Sequence, residues 1–237
     1  MKTCAIMQPT YLPWLGYFDL IRNADVFVIY DHVQFEKQSW QQRNRIRNKE
    51  GELMLTVPVL YGTGLKRAIK DVKIDHSRNV ISKHLSSIKF SYGRSNNFDV
   101  VYSSIESIYQ RKHEFLIDLN IDLINLGMQF LNIKKEFIFS STLDVQGKQV
   151  EALIDICKKV QADHYLSPVG AKIYIDENNL FPQKGIELRY QTFQFPSYQQ
   201  VNYPNFISHL SFVDYLFNVS LSEVSDFGSF QFHTNNI

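Results

Sequence analysis

The sequence predicts an α/β fold: a Rossmann-like parallel sheet with a helical subregion near residues 77–130. Three observations predict it. Residues 3–8 (TCAIMQ) and 25–30 (DVFVIY) are continuous apolar runs on either side of a stretch with helical spacing, 14–23 (WLGYFDLIRN). A strand–helix–strand unit of this kind sets its two strands parallel. Residues 77–90, 97–111 and 113–127 each carry apolar side chains three and four apart, the period of a helix packing face. The chain then alternates again, with a short strand at 137–139, a helix at 147–159 and a strand at 164–167. A length of 237 residues fits one α/β domain over 1–237.

Each element has its own signals. The first strand stops at Pro9, since proline breaks a ladder. Residues 53–59 (LMLTVPV) read as a strand, with Pro58 at an edge or an end. Tyr61 to Gly64 read as a turn and Ile69 to Ile74 as a further strand. Phe98, Val101, Ile105 and Ile108 form one helical stripe. Leu116, Leu119, Leu123 and Leu126 form another, with Gly127 as the helix stop. Val150, Leu153, Ile154 and Cys157 line one side of the 147–159 helix. The 164–167 strand ends at Pro168. Residues 170–176 read as a helical turn, Ile186 to Phe193 as a late strand and Leu210 to Asn218 as a final helix. The last dozen residues are expected to fray.

Composition narrows the function. Hydrophobic residues make up 44% and charged residues 21%, the balance of an ordinary soluble protein. A collagen, a disordered tail and a membrane bundle are excluded. Lys plus Arg number 25 against 24 Asp plus Glu, without the basic excess of a chain that grips phosphate backbones. The 18 Phe, 13 Tyr and 2 Trp either fill an aromatic core or, for Tyr and Trp, face sugars and bases. Cys4 and Cys157 alone make no disulfide framework. The N-terminus does not read as a signal peptide, and no run reaches the roughly 20 apolar residues of a membrane span. A cytoplasmic location without membrane insertion is expected.

Familiar catalytic devices are missing from the sequence: a dinucleotide or P-loop fingerprint, H-E-x-x-H, paired C-x-x-C and G-x-S-x-G. No metal site is expected; His76 and His84 read as a surface coincidence and Cys157 as a buried thiol. Two dense stretches remain. Gln8 to Tyr17 (QPTYLPWLGY) holds two prolines, three aromatics and a glycine. It is either a stiff anion cradle at a helix start, with Gly16 allowing close approach, or a turn whose aromatics plug the core. Asp31 to Arg47 (DHVQFEKQSWQQRNRIR) is either a segment that reads a polar ligand by hydrogen bonds and neutralises phosphate or a solvated basic surface. Asp31 is either a general base or a turn former. In an open parallel sheet the carboxyl ends of the strands gather ligands, which places both stretches at one edge.

Together these stretches resemble the WbqC-like protein family. Its signature reads roughly I-x-Q-P-x-Y-x-P-W-x-G-Y-F, then A-D-x-F-V-x-x-D-x-V-Q-F-x-K-x-S-W-x-x-R-N-x-I. IMQPTYLPWLGYF (Ile6 to Phe18) and ADVFVIYDHVQFEKQSWQQRNRI (Ala24 to Ile46) fit it almost throughout. Leu166, Ser167, Gly170, Ala171 and Tyr174 match a later Y-L-S-x-x-G-A-x-x-Y block, and Leu210 to Asn218 match a terminal L-S-x-x-D-x-L-F-N helix. The family's helix is often followed by a glycine, where this chain has Val219 and Ser220. The resemblance implies surface-polysaccharide (O-antigen, lipopolysaccharide) biosynthesis, with transfer of an amino acid such as glycine to the amine of a nucleotide-linked amino sugar. A weaker resemblance is to pantothenate synthetases and related nucleotidylyltransferases. There an H-x-G-H motif meets ATP phosphates, where this chain has Trp14-Leu15-Gly16-Tyr17. It implies a nucleotidylyltransferase-type sheet and, with the histidines missing, leaves ATP only a candidate.

The expectation is therefore an N-acyl- or aminoacyltransferase, or an ATP-dependent amide ligase. The rivals are a non-catalytic sugar-nucleotide-binding protein and a nucleotidylyltransferase. The expected catalytic residues are Asp31, His32 and Lys37. Gln8, Pro9, Tyr11, Trp14, Tyr17, Gln34, Ser39, Trp40, Arg43, Asn44, Ser167 and Gly170 are the expected substrate contacts. The donor is an amino acid with ATP, or an aminoacyl-tRNA.

Overall fold

The computed structural model describes residues 1–60, 67–175, 180–201, 203 and 205–227. Its centre is a parallel five-stranded sheet of β1 (Thr3–Met7), β2 (Val26–Ile29), β5 (Phe137–Phe139), β6 (His164–Ser167) and β7 (Glu187–Tyr190), in the spatial order β5-β2-β1-β6-β7. The chain steps outward from β1 through β2 to β5, then returns to the other side of β1 for β6. The strand order thus reverses between β1 and β6, the switch point at which α/β sheets open a crevice. This is the Rossmann-like arrangement expected.

Side chains alternate across the sheet with period two. Cys4, Ile6 and Val28 face a core shared with α5 (Val150–Lys159), whose Leu153, Ile154 and Cys157 pack there as expected. Ala5, Phe27 and Ile29 face a larger core on the other side. That core holds α1 (Leu15–Asn23), α2 (Val80–Tyr92), α3 (Phe98–Gln110), α4 (Leu116–Phe130) and α8 (Phe212–Asn218). The predicted leucine stripe is buried in it, as are Val101, Ile105 and Ile108 of the other stripe, with Phe98 half-buried against it.

Four expectations are corrected or fall short. Arg43–Asn48 forms β3, which pairs antiparallel with β4 (Gly51–Thr56). Its sequence, RNRIRN, lacks an apolar alternation because buried Asn44 and Arg47 fill positions next to Ile46. Ile69 to Ile74 is not a strand: Ile69–Asp71 is a 3-10 turn, and Ile69 and Val72 are both buried at its three-residue repeat. Gly127 does not end its helix, which runs to Phe130. A Cβ at Gly127 would overlap the Phe18 ring and lie 3.1 Å from Phe212, so the glycine serves close packing. The chain turns out of α4 only at Asn132, in the left-handed region at φ 52°. The late strand is shorter than predicted, Glu187–Tyr190; just past it the Gln191 backbone N–H still donates to the Ser167 carbonyl, and its side-chain amide donates to the Gly16 carbonyl and the Asp19 carboxylate.

Residues 170–175 are helical: the end of a 3-10 turn at Val169–Ala171, then α6 (Lys172–Ile175); α7 (Leu180–Gln183) follows. Ser220 caps a last helix, α9 (Leu221–Ser225), so the chain turns after α8 without a glycine. The turn expected at Tyr61 to Gly64 and residues 228–237 lie outside the described residues. No described helix is long and apolar enough to cross a membrane.

Candidate functional site

The site begins in the loop that leaves β1. Leu12 sits between Pro9 and Pro13 in the left-handed region at φ 44°, a conformation that costs a non-glycine residue about 1 kcal/mol or more. Asn44, from β3, holds it: its Nδ2 donates to the carbonyls of Tyr11 at 3.2 Å and Leu12 at 2.8 Å. The Tyr11 N–H donates to the Trp40 carbonyl at 3.0 Å. Asn120, fully buried on α4, donates to the carbonyls of Pro9 at 3.2 Å and Gln41 at 2.8 Å. Gln41 Nε2 then donates to Gln8 Oε1 at 2.9 Å. Two stretches remote in sequence are fastened together at the carboxyl end of β1.

Beside this junction, at the switch point, lies a cleft of about 880 Å³. The ends of β1 and β2 give it Met7, Gln8, Thr10 and Tyr30. The segment after β2 gives Glu36, Ser39, Trp40 and Gln41; the start of α5 gives Lys148 to Glu151; β6 and its exit give Tyr165, Pro168, Gly170 and Ala171. Three aromatic side chains, one lysine and two carboxylates therefore face one space. Trp40 is 48% exposed, and the Arg45 guanidinium lies 5.4 Å from its ring centre. A helix start concentrates free N–H groups and positive dipole, and Lys148 stands there without an ion-pair partner among the described residues.

The family model of the WbqC-like protein family matches residues 8–226. The chain belongs to the WbqC-like protein family. The uncharacterized protein Rv1507c of Mycobacterium tuberculosis (strain ATCC 25618 / H37Rv) is 31% identical over 229 residues, 96% of this chain and 97% of the relative. No solved structure matches the chain.

On this fold the WbqC-like signature divides into cleft residues and scaffold. Gln8, Ser39, Trp40 and Gly170 line the cleft, and nothing lies within 4 Å of a Cβ built on Gly170. Pro9 is buried beside them. Tyr11 is scaffold: it is wholly buried, and its hydroxyl bonds His84 Nδ1 at 2.8 Å and also the Tyr109 hydroxyl. Tyr17 is buried too, its hydroxyl donating to the Gln8 carbonyl at 3.2 Å. Burial raises both phenols well above their ordinary range. Trp14 stacks on His209, with ring centres 5.3 Å apart, and a Cβ on Gly16 would overlap its indole. The space at Gly16 is thus filled by the chain's own tryptophan, and Leu15 and Tyr17 are buried. Trp14 to Tyr17 form no phosphate cradle of the nucleotidylyltransferase kind. Asn44 is spent on the Leu12 loop, and Ser167 is buried. Arg43 lies on β3 with its Nε buried and unpartnered.

Asp31 and His32 stand apart from the cleft. Asp31 is 2% exposed and accepts from Ser140 Oγ (2.8 Å), the Ser141 N–H (2.8 Å) and Ser141 Oγ (2.6 Å). His32 Nδ1 contacts the same Ser140 hydroxyl at 2.7 Å, and burial lowers its pKa. Asp31 lines a separate, smaller cavity with Lys70, Asp118 and Asp122. Lys37 and Gln34 are exposed beyond the residues that line the cleft. Sequence reasoning overlooked Glu36, Gln41 and the start of α5. A usable signal existed for the last: every strand-to-helix loop of a parallel sheet emerges at the same edge, so the Gly147 to Glu151 loop had to join the site.

The aspartate of the terminal helix signature, Asp214, is also scaffold. It is completely buried and accepts from Tyr92 (2.7 Å), Tyr198 (2.8 Å) and Gln200 Nε2 (2.8 Å). Burial raises its pKa, while the three donors and nearby Arg47 oppose that rise. Tyr92 in turn accepts from the Arg47 N–H at 2.9 Å, which ties β3 to α8.

Proposed function

We propose that this WbqC-like protein is a biosynthetic enzyme of surface-polysaccharide assembly that transfers an acyl or aminoacyl group, such as glycyl, to the amine of a nucleotide-linked amino sugar. The observation that carries the reading is the Gln8–Gln41 contact, which joins the two signature stretches beside a cleft at the sheet's switch point. The cleft's chemistry suits that ligand. Tyr30 and Trp40 offer aromatic surface to a base or sugar. Lys148 and the α5 start suit a diphosphate.

In this reaction the amine nitrogen attacks the activated acyl carbon, and the amine gives up a proton as the amide bond forms. Glu36 or Glu151 is the proposed proton acceptor, in place of Asp31, whose carboxylate oxygens are both held by Ser140 and Ser141. The donor's leaving group departs from the tetrahedral intermediate with the carbonyl electron pair restored. Because Trp14 to Tyr17 make no phosphate cradle, ATP enters the reading only as a means of activating the amino acid.

The test is incubation of the protein with a dTDP-linked amino sugar and glycine plus ATP, or glycyl-tRNA in their place, read by mass spectrometry. A sugar nucleotide heavier by one glycyl residue is the expected product. Binding of the sugar nucleotide with no product from either donor would replace the enzyme reading with a binding protein. Pyrophosphate release from a sugar phosphate and a nucleoside triphosphate would make it a nucleotidylyltransferase.

A further inference from the structure

Gln41 is 2% exposed, and a group that can only donate fixes its side-chain amide. The Glu36 backbone N–H donates to Gln41 Oε1 at 3.1 Å. The oxygen end of Gln41 therefore faces Glu36, and its Nε2 donates to Gln8 Oε1 at 2.9 Å. With Oε1 of Gln8 taken, the other end of that amide, Nε2, is left over. It has no partner among the described residues, and Gln8 is a half-buried wall of the cleft. A glutamine amide can point either end at a ligand. Here the chain from Glu36 through Gln41 to Gln8 leaves one choice.

We propose that Gln41 is a positioning residue that makes Gln8 a hydrogen-bond donor toward the ligand, so that this part of the cleft selects an acceptor oxygen over an ammonium. Gln8 holds that oxygen through Nε2, and Gln41 acts only through Gln8. In acyl transfer to an amine, a donor here serves the acyl carbonyl, whose oxygen gains negative charge in the intermediate. A diphosphate oxygen has the same acceptor chemistry and is separated below. The identity of the ligand rests on the sugar-nucleotide reading above; the orientation of the two amides does not.

Two measurements test it. The first is hydrogen exchange of glutamine side-chain amides by NMR in the full chain. The Gln8 and Gln41 signals are assigned by their loss in Gln8→Met and Gln41→Met. The Gln41 amide should be protected and the Gln8 amide should exchange freely. In Gln41→Glu the new carboxylate has no proton to give, Gln8 must turn to donate to it, and its amide should become protected. Should Gln41→Glu not fold, the wild-type pattern alone decides: a protected Gln8 amide beside a freely exchanging Gln41 amide overturns the proposal.

The second is calorimetric titration with UDP-N-acetylglucosamine, UDP-glucosamine and UDP. If the acceptor is the acyl carbonyl, the acetylated sugar binds about tenfold tighter than the amine, and Gln8→Met abolishes that difference. If it is a phosphate oxygen, Gln8→Met weakens all three, UDP included, by the same factor. Unchanged affinity for every probe in Gln8→Met overturns the donor role. Failure of all three to bind wild-type protein counts against the sugar-nucleotide reading, while the exchange pattern still decides the orientation.

Discussion

Asn120, on α4, donates its side-chain amide to the main-chain carbonyl of Gln41 at 2.8 Å. The same nitrogen reaches the Pro9 carbonyl at 3.2 Å, so one buried side chain in a leucine-rich helix joins the two halves of the site. Its Oδ1 is buried without a partner. Asn120→Ala leaves two carbonyls without that donor, a loss of about 2 kcal/mol. Asn120→Asp removes the donor and adds a buried charge, and should be worse. Urea unfolding of the two variants checks the order, and sugar-nucleotide affinity should fall in whichever folds.

His84 sets a second expectation, in pH. It is buried on α2, its Nδ1 accepting from Tyr11 and its ring hydrogen-bonded to the Thr56 backbone. Burial pushes its pKa down from 6.5 to about 4. The unfolded chain therefore takes up this proton first as pH falls. The contribution is complete above about pH 6.5 and is lost progressively as pH falls toward 4, to a limit of about 3 kcal/mol. Gln in place of His84 can accept from Tyr11 and donate to Thr56 without titrating. Thermal unfolding between pH 7 and pH 4.5 should show a shallower loss for His84→Gln than for wild type, and equal slopes would refute the assignment.

Gly127 gives a packing test with two opposing terms. Alanine is the better helix former by about 1 kcal/mol. Its methyl would meet Phe18 and Phe212, both fully buried, and overpacking of this kind costs about 1–3 kcal/mol. The clash should win, because both rings are enclosed and have little room to yield. Gly127→Ala should lower the melting temperature, and Phe18→Leu should make the second substitution less harmful. Additive effects in the double variant would show that the two side chains do not meet.

How much of this was legible in the sequence depended on whether burial left an apolar period. β1, α1 and β2 are continuous or periodic apolar runs, and their register could be anticipated. β3 could not, because Asn44 and Arg47 are buried through partners elsewhere in the chain, Leu12 and Tyr203 among them. The contact of Gln8 to Leu12 with Trp40 to Asn44 follows the rule that parallel strands end at one edge, while Asp31 and His32, from the same second stretch, lie apart. Which residues of each stretch face the cleft was not legible. Tyr11 and Trp40 are both aromatic signature residues, yet one is bonded into the core by His84 and Tyr109 while the other is exposed. That difference is set by contacts 73 and 98 residues away from Tyr11, which no local pattern carries.

The cleft itself yields a prediction that separates binding from chemistry. Lys148 stands at the start of α5, and Glu36 and Glu151 face the same space. If Lys148 holds the diphosphate, Lys148→Ala should raise KM for the sugar nucleotide about tenfold, equivalent to about 1.4 kcal/mol, with kcat little changed. If one carboxylate accepts the amine proton, its replacement by glutamine should lower kcat about a hundredfold or more and leave substrate affinity near wild type. The other carboxylate's glutamine variant should retain turnover. Asp31→Asn serves as the contrast: its carboxylate organises the Ser140–Ser141 turn, so stability should fall before any selective loss of kcat is seen. A kcat defect confined to Asp31→Asn, with both glutamate variants active and the fold intact, would return the base to Asp31 and remove the cleft carboxylates from the mechanism.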